Sequence, residues 1–378
     1  MSLFSRFRRR IKNSQEYLPV SDHCLYQAAG NRTLIELSPR RRGIFAANGL
    51  LDDGSESLFR HWETSTTPIF RYSFGPAVFD PVLTMFGSDG RAIRDLLYTQ
   101  LYTQPENVLK AFDADRETPV EVSDLTAWAG FDHWNSNFYH WFAHTLPAIC
   151  HFRKAAGPDD VFLLPELTSW QAKSIELMGL PRERWKITRP GLRYKFARVI
   201  YTDFIRGKTD FTVSETLTET SRILKRAAGC GETRSGEYPQ MRLLFIQRGS
   251  AANRKIPNET DLAAGLERVG FECVRPEKLS LREQICLFSE ARMVVGFLGA
   301  GLTNIAWCAP GTIVYELVPS HHQNPCFLPI AIRNNLCYWA DLVETGVMRE
   351  DHTSQSVLPV DVEHVVRHAK ALLHLTDA

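Results

Sequence analysis

Residues 242–317 alternate short, almost uninterrupted apolar runs with helix-like segments. The runs are RLLFIQR (242–248), FECVR (271–275), MVVGFL (293–298) and TIVYEL (312–317). Runs of this kind do not alternate inward and outward residues, so they fit a parallel sheet covered on both faces. The intervening segments supply the covering helices. Asn258 is placed to cap a helix over 259–269 and Gly270 to end it. Ser280 and Glu283 have capping-box spacing at the start of a helix over 281–291.

A second βαβ-like rhythm lies upstream. Residues 137–156 read as helix, 161–165 as a buried strand, 171–180 as a helix ended by Gly179 and Pro181, and 198–204 as a returning strand. Residues 15–85 read as short strands and turns, 90–112 as helix and 362–373 as a last helix. The polar stretch 205–240 holds one helical segment over 215–228 and is the expected boundary. A chain of 378 residues exceeds the usual single domain. The expected division is an N-terminal α/β domain over 1–215, a second α/β domain over 216–350 and a C-terminal helical segment over 351–378.

Lys and Arg number 44 against 43 Asp and Glu, so no global positive field favours nucleic acid. Eight cysteines without a CxxC pair read as buried, reduced thiols of a cytoplasmic protein, not as a disulfide framework. No apolar run is long enough for a transmembrane helix. In MSLFSRFRRRIK, Leu3, Phe4, Phe7 and Ile11 share a helical face ringed by basic residues. That pattern suits peripheral contact with an anionic membrane surface; a solvated terminus is the competing reading.

The sharpest local motif is Gly299-Ala300-Gly301-Leu302-Thr303-Asn304, which follows an apolar strand and opens a helix. Glycines admit close approach of a ligand, and a helix start offers unpaired N–H groups and a positive dipole end. A diphosphate fits such a turn; the bland alternative is an ordinary tight turn capped by Thr303. Arg248 ends the first strand on the same presumed sheet edge, with Arg254 and Lys255 in the loop after it, and an arginine fork suits phosphate oxygens. Glu316, near the end of the next strand, is placed to accept a ribose hydroxyl.

The other constellation is NFYHWFAHTLP (137–147), where His140 and His144 stand one helical turn apart. Histidine serves as a general base near neutral pH or as a zinc ligand. The spacing is not HExxH, which weakens a metal-dependent hydrolase using His140 and His144. Asp132 and His133 precede the helix and can share its cleft.

Three segments together resemble glycosyltransferase family 61, which includes bacterial capsular-polysaccharide enzymes and eukaryotic xylosyl-, arabinosyl- and N-acetylglucosaminyltransferases. They are NFYHWFAHTLPAI (137–149), LLFIQRGSAANRKIPNE (243–259) and LSLREQICLFSEARMVVGFLGAGLTNIAWCAPGTIVYEL (279–317). The resemblance implies two Rossmann-like domains facing across a cleft, the GT-B arrangement, with the C-terminal helix packing back on the N-terminal domain. It implies an inverting glycosyltransferase that uses a nucleotide sugar, typically a UDP-sugar, and a glycan or lipid-linked acceptor. On this reading Arg248 and Arg254 match the family's basic donor-side positions and Gly299, Ala300, Gly301, Leu302, Thr303 and Asn304 its glycine-rich loop. Glu316 matches its acidic strand-end residue and His140 the histidine of its His-Trp pair.

Two positions depart from the family pattern. Leu298 stands where a histidine usually precedes Gly-Ala-Gly, and His144 where an acidic residue is usual. The expected chemistry is direct displacement at the anomeric carbon, with His140 as base and Asp132 in reserve. Charge on the leaving diphosphate would be stabilised by arginines and backbone amides. No cofactor or metal is expected, since no acidic metal-binding cluster is visible. A nucleotide-binding homologue with little or no activity is the alternative that Leu298 raises.

Overall fold

The computed structural model describes residues 28–37, 42–45, 49–63, 68–93, 105–131, 134–204, 214–230, 242–249, 256–345 and 358–375. The fold is α/β and divides into two compact units, residues 1–37 with 68–206 and residues 38–67 with 207–378.

The first unit is built on a nine-stranded mixed sheet. Its strands are β1 (Asn31–Leu37), β2 (Pro68–Phe74), β3 (Ala77–Asp80), β4 (Met85–Ser88), β5 (Arg91–Ala92), β6 (Val120–Ala129), β7 (Val161–Leu164), β8 (Trp185–Ile187) and β9 (Arg193–Thr202). The order is β5-β4-β3-β9-β6-β7-β8, with β2 also on β9 and β1 on β2. Both β2 and β3 run antiparallel to β9, each along a different stretch of it, and the chain steps between them at Gly75-Pro76. The pairs β6–β9, β6–β7 and β7–β8 are parallel, which realises the upstream βαβ rhythm. Helix α1 (Pro105–Ala114) precedes β6.

A continuous helix, α2, links β6 to β7 through Phe138–His140, a π-helical turn Trp141–Thr145 and Leu146–Ala155. The π-turn is the local answer to Pro147. Proline has no N–H, and its ring clashes with the carbonyl one turn back. Widening the turn, so that the Leu146 amide bonds the Trp141 carbonyl, accommodates it. Asn137 starts the helix by accepting the Tyr139 amide at 2.9 Å. Gly130 follows β6 because a Cβ there would stand 2.2 Å from the Ala148 Cβ of α2. Helix α3 (Ser169–Leu177) leads on towards β8.

The second unit is a five-stranded sheet of β10 (Arg242–Ile246), β11 (Phe271–Val274), β12 (Ala291–Phe297), β13 (Ile313–Pro319) and β14 (Cys337–Val343). Its order is β11-β10-β12-β13-β14, and every pair is parallel. All seven residues of β13 are buried, Glu316 among them. The helices are α4 (Glu215–Ala227), α5 (Glu259–Glu267), α6 (Leu281–Ser289), α7 (Leu328–Arg333) and α8 (Val362–Leu375), with a 3-10 helix over Ala300–Trp307. Ser280 and Glu283 form the expected capping box, and Gly270 takes a left-handed φ of 94° after α5. Asn258 does not cap α5. Its side chain donates to the Val360 carbonyl at 2.9 Å and accepts the Val360 amide at 3.0 Å, holding the segment that enters α8.

Three placements were not expected from the sequence. Residues 38–67 group with the second unit, and Ile44, Ser57 and Leu58 among them cover the free edge of β14. Tyr338 N–H donates to the Ile44 carbonyl at 2.8 Å, Leu58 N–H to the Ala340 carbonyl at 2.9 Å, and Ala340 N–H to Ser57 Oγ at 3.1 Å. An open strand edge is a row of unpaired groups, and this segment closes it. The C-terminal helix α8 also belongs to the second unit, with Val365, Ala369 and Leu372 buried in that unit's core. Finally, Cys230 and Cys286 form a disulfide joining the end of α4 to α6. Reduced thiols throughout, the ground for a cytoplasmic placement, therefore do not hold. Among the described residues no helix is long and apolar enough to cross a membrane. Residues 3–12 lie outside the described residues.

Candidate active site

The strand order of the second unit places neighbouring β10 and β12 with their crossover connections leaving in opposite directions. In open α/β sheets ligands bind beyond the carboxyl ends of strands at such a switch point. Arg248 lies two residues past β10, and Gly299 two residues past β12. The two meet there. Arg248 Nη1 donates to the Leu298 carbonyl at 3.1 Å. A Cβ on Gly299 would stand 1.9 Å from that nitrogen, so only glycine leaves the guanidinium its place. The requirement is steric, since Gly299 has extended φ.

Glu259, the first residue of α5, holds the other side of this arginine. Its carboxylate accepts the Arg248 amide at 2.5 Å and the Gly249 amide at 3.1 Å. Sequence reading missed this residue. The signal available was an acidic group in the first turn of a helix, where it faces the dipole's positive end.

The turn itself is tight. Gly299 is the N-cap of the 3-10 helix, and the Leu302 amide closes on the Gly299 carbonyl at 2.9 Å. The amides of Ala300 and Gly301 precede that first closed turn, where a helix start leaves N–H groups outward. Both residues are partly exposed. Leu302, Thr303 and Asn304 are buried. Asn304 donates to the Gly301 carbonyl at 3.0 Å and accepts Trp307 Nε1 at 2.9 Å, so it shapes the turn. Gly301 itself lies close to Ile246 of β10, whose Cγ2 would be 3.2 Å from a Cβ there.

Leu298 is buried at 2% exposure, and its backbone spans two partners: the amide donates to the Leu317 carbonyl at 2.9 Å and the carbonyl holds Arg248. Its side chain thus faces the interior. Glu316 does not stand at a strand end, because β13 continues to Pro319. It is 0% exposed and accepts the Tyr338 hydroxyl, which burial and that neighbouring carboxylate push well above the usual phenol range. Arg254, Lys255, Asp132 and His133 lie outside the described residues.

In the first unit, His140 is half-buried and His144 buried. Their rings meet edge to face with centroids 5.2 Å apart, and Tyr139 lies 5.6 Å from each. The π-turn between them begins directly after His140, and such turns recur at functional sites. His151, one helix face further on, packs near Trp128 and Phe204. Burial, helped by Arg71 and Lys154, pushes its pKa down to about 4. Trp62, Trp134 and Trp170 are all half-buried. Among the described residues, the group able to hold a metal through three side chains is Asp341, His364 and His368, not His140 with His144.

The comparisons with known proteins bear on this arrangement. Residues 138–315 match the family model Glycosyltransferase 61. That stretch is similar to the family. It spans α2 and its π-turn, Arg248 and the Gly299–Asn304 turn, and it ends within β13. The chain is similar to a beta-1,2-xylosyltransferase of Arabidopsis thaliana, at 31% identity over 80 residues. This stretch is 21% of the chain and 15% of the relative's length.

Proposed function

We propose that the protein is an inverting glycosyltransferase that takes a sugar from a nucleoside-diphosphate donor, UDP-linked, to a hydroxyl of a glycan or lipid-linked glycan. The observation that carries the reading is Arg248 seated on Gly299 at the β10–β12 switch point, where the 3-10 helix over Ala300–Trp307 starts. A cation and two backbone donors, fixed before any ligand arrives, suit a leaving diphosphate better than a neutral guest. Arg254 is proposed to join them. His140 is the proposed base, with Asp132 as the reserve. The acceptor oxygen bonds to the anomeric carbon as the bond to the diphosphate oxygen breaks, and the acceptor proton passes to the base. The negative charge leaves on the nucleoside diphosphate, and configuration inverts. Transfer is proposed to need no cofactor and no metal at the reacting centre.

Isothermal titration with UDP tests the anion seat, with tight binding expected for the wild type and loss in R248A. Product analysis over a panel of UDP-sugars then tests transfer, with NMR of the product reading the anomeric configuration. H140A is expected to keep UDP binding and lose turnover; wild-type turnover in H140A removes the base assignment.

Leu298 favours a second reading, a homologue that binds the nucleotide without transferring sugar. UDP binding with no product from any donor would select it.

A further inference from the structure

Four side chains outside the proposed site meet beside β14. Asp341 projects from β14, His364 and His368 stand one turn apart on α8, and Asp53 comes from the segment that covers the β14 edge. His368 Nδ1 lies 2.7 Å from Asp341 Oδ2, and His364 Nε2 lies 3.3 Å from the same oxygen. Tyr315 Oη donates to that oxygen at 2.5 Å, and Trp339 Nε1 donates to Oδ1 at 2.8 Å.

The decisive side chain is His368. The residue is 1% exposed, and its Nε2 makes no hydrogen bond among the described residues. Asp53 Oδ2 is 3.5 Å from that nitrogen. With the ring proton on Nε2, turned to Asp53, the Nδ1 lone pair faces Asp341 Oδ2 beside His364 Nε2, and an ion can take the proton's place between them. One ligand atom from each of Asp341, His364 and His368 lies within 4.8 Å of the others. Two imidazoles and a carboxylate are a donor set that zinc accepts, with a fourth position for water. Arg367 is the opposing charge, 3.2 Å from His364 Nδ1, but its side chain is largely exposed and free to swing outward.

We propose that Asp341, His364 and His368 bind a divalent transition ion of the zinc class, which fastens α8 and the Asp53 segment to the edge strand β14. The role is structural, since it joins three stretches distant in sequence, and it is independent of the sugar-transfer reading.

The test uses the full chain after chelator treatment. Zinc chloride is titrated calorimetrically, cobalt chloride is followed by visible absorption, and thermal unfolding is recorded with and without zinc. One zinc per chain, a tetrahedral cobalt spectrum and a zinc-dependent rise in melting temperature are expected. H364A, at a partly exposed position, should lose all three with its circular dichroism unchanged. Y315F should weaken zinc binding roughly tenfold or more by releasing the Asp341 carboxylate. H374A, on the same helix outside the cluster, should match the wild type. No stoichiometric uptake by the wild type overturns the proposal and leaves a hydrogen-bonded pin. Equal uptake by H364A, or equal loss in H374A, overturns it as well.

Discussion

The Arg248 guanidinium occupies the space that a side chain on Gly299 would take: its Nη1 sits 1.9 Å from where a Cβ would be built. Two loops from adjacent strands are thereby locked into one surface, with the arginine seated on the Leu298 backbone carbonyl. G299A should displace the guanidinium. A charge-assisted hydrogen bond is worth about 1.5–3 kcal/mol, so UDP affinity should fall about 10- to 100-fold. Calorimetry with UDP reads this directly, and unchanged affinity would mean that Arg248 does not meet the ligand.

Glu259 positions Arg248 without being offered to the ligand itself. E259Q keeps one acceptor and loses the other charged oxygen that now receives a backbone amide. The expected result is a several-fold weaker UDP affinity with a small loss of stability. Equal affinity in E259Q and the wild type would show that the loop is held by other contacts.

In the first unit Arg193 bonds Asp80 at 3.0 Å and also donates to the carbonyls of Phe112 and Asp115. Asp80 is 0% exposed and accepts the amides of Val82 and Leu83 as well. Removing one charge from a buried pair costs about 3–5 kcal/mol, and here Arg193 would keep only the longer contact to the Asp115 carboxylate at 3.7 Å. D80N retains the shape and an acceptor for the amides, so urea unfolding of D80N isolates the charge. A cost below about 1 kcal/mol would place the pair with exposed ones.

His151 gives the first unit a pH dependence of definite sign. Its pKa is pushed from 6.5 down to about 4 by burial. The unfolded chain therefore takes up a proton below about pH 6.5 that the folded chain refuses until about pH 4. Stability should decline as pH falls through that window and be level with respect to this group above it. Urea unfolding at several pH values should show a shallower decline in H151L than in the wild type. Parallel curves would remove His151 as the source.

Much of the second unit was legible because its determinants are local. Apolar runs flanked by helix caps and a Gly turn specify βαβ units whatever lies elsewhere, and β10, β12, β13 and the Gly299 turn follow from them. The place of Arg248 was legible for the same reason, as the first cation beyond a strand end. Asn258 was misread because the capping rule describes an isolated helix, whereas Val360 offers both a donor and an acceptor from across the fold. Glu316 was misread because strand ends are set by pairing: β14 keeps β13 paired through Pro319.

The chain's own order of residues fixed the local elements and the glycine that a close approach demands, since both depend on neighbours a few positions away. Which segments complete a sheet edge, which cysteines join, and which histidines meet Asp341 depended on contacts between residues far apart in sequence. Ile44, Ser57 and Leu58 fall between β1 and β2 of the first unit's sheet in the chain, yet close the last strand of the second. No periodicity records that pairing, because it is decided by which exposed edge the folded sheet leaves open.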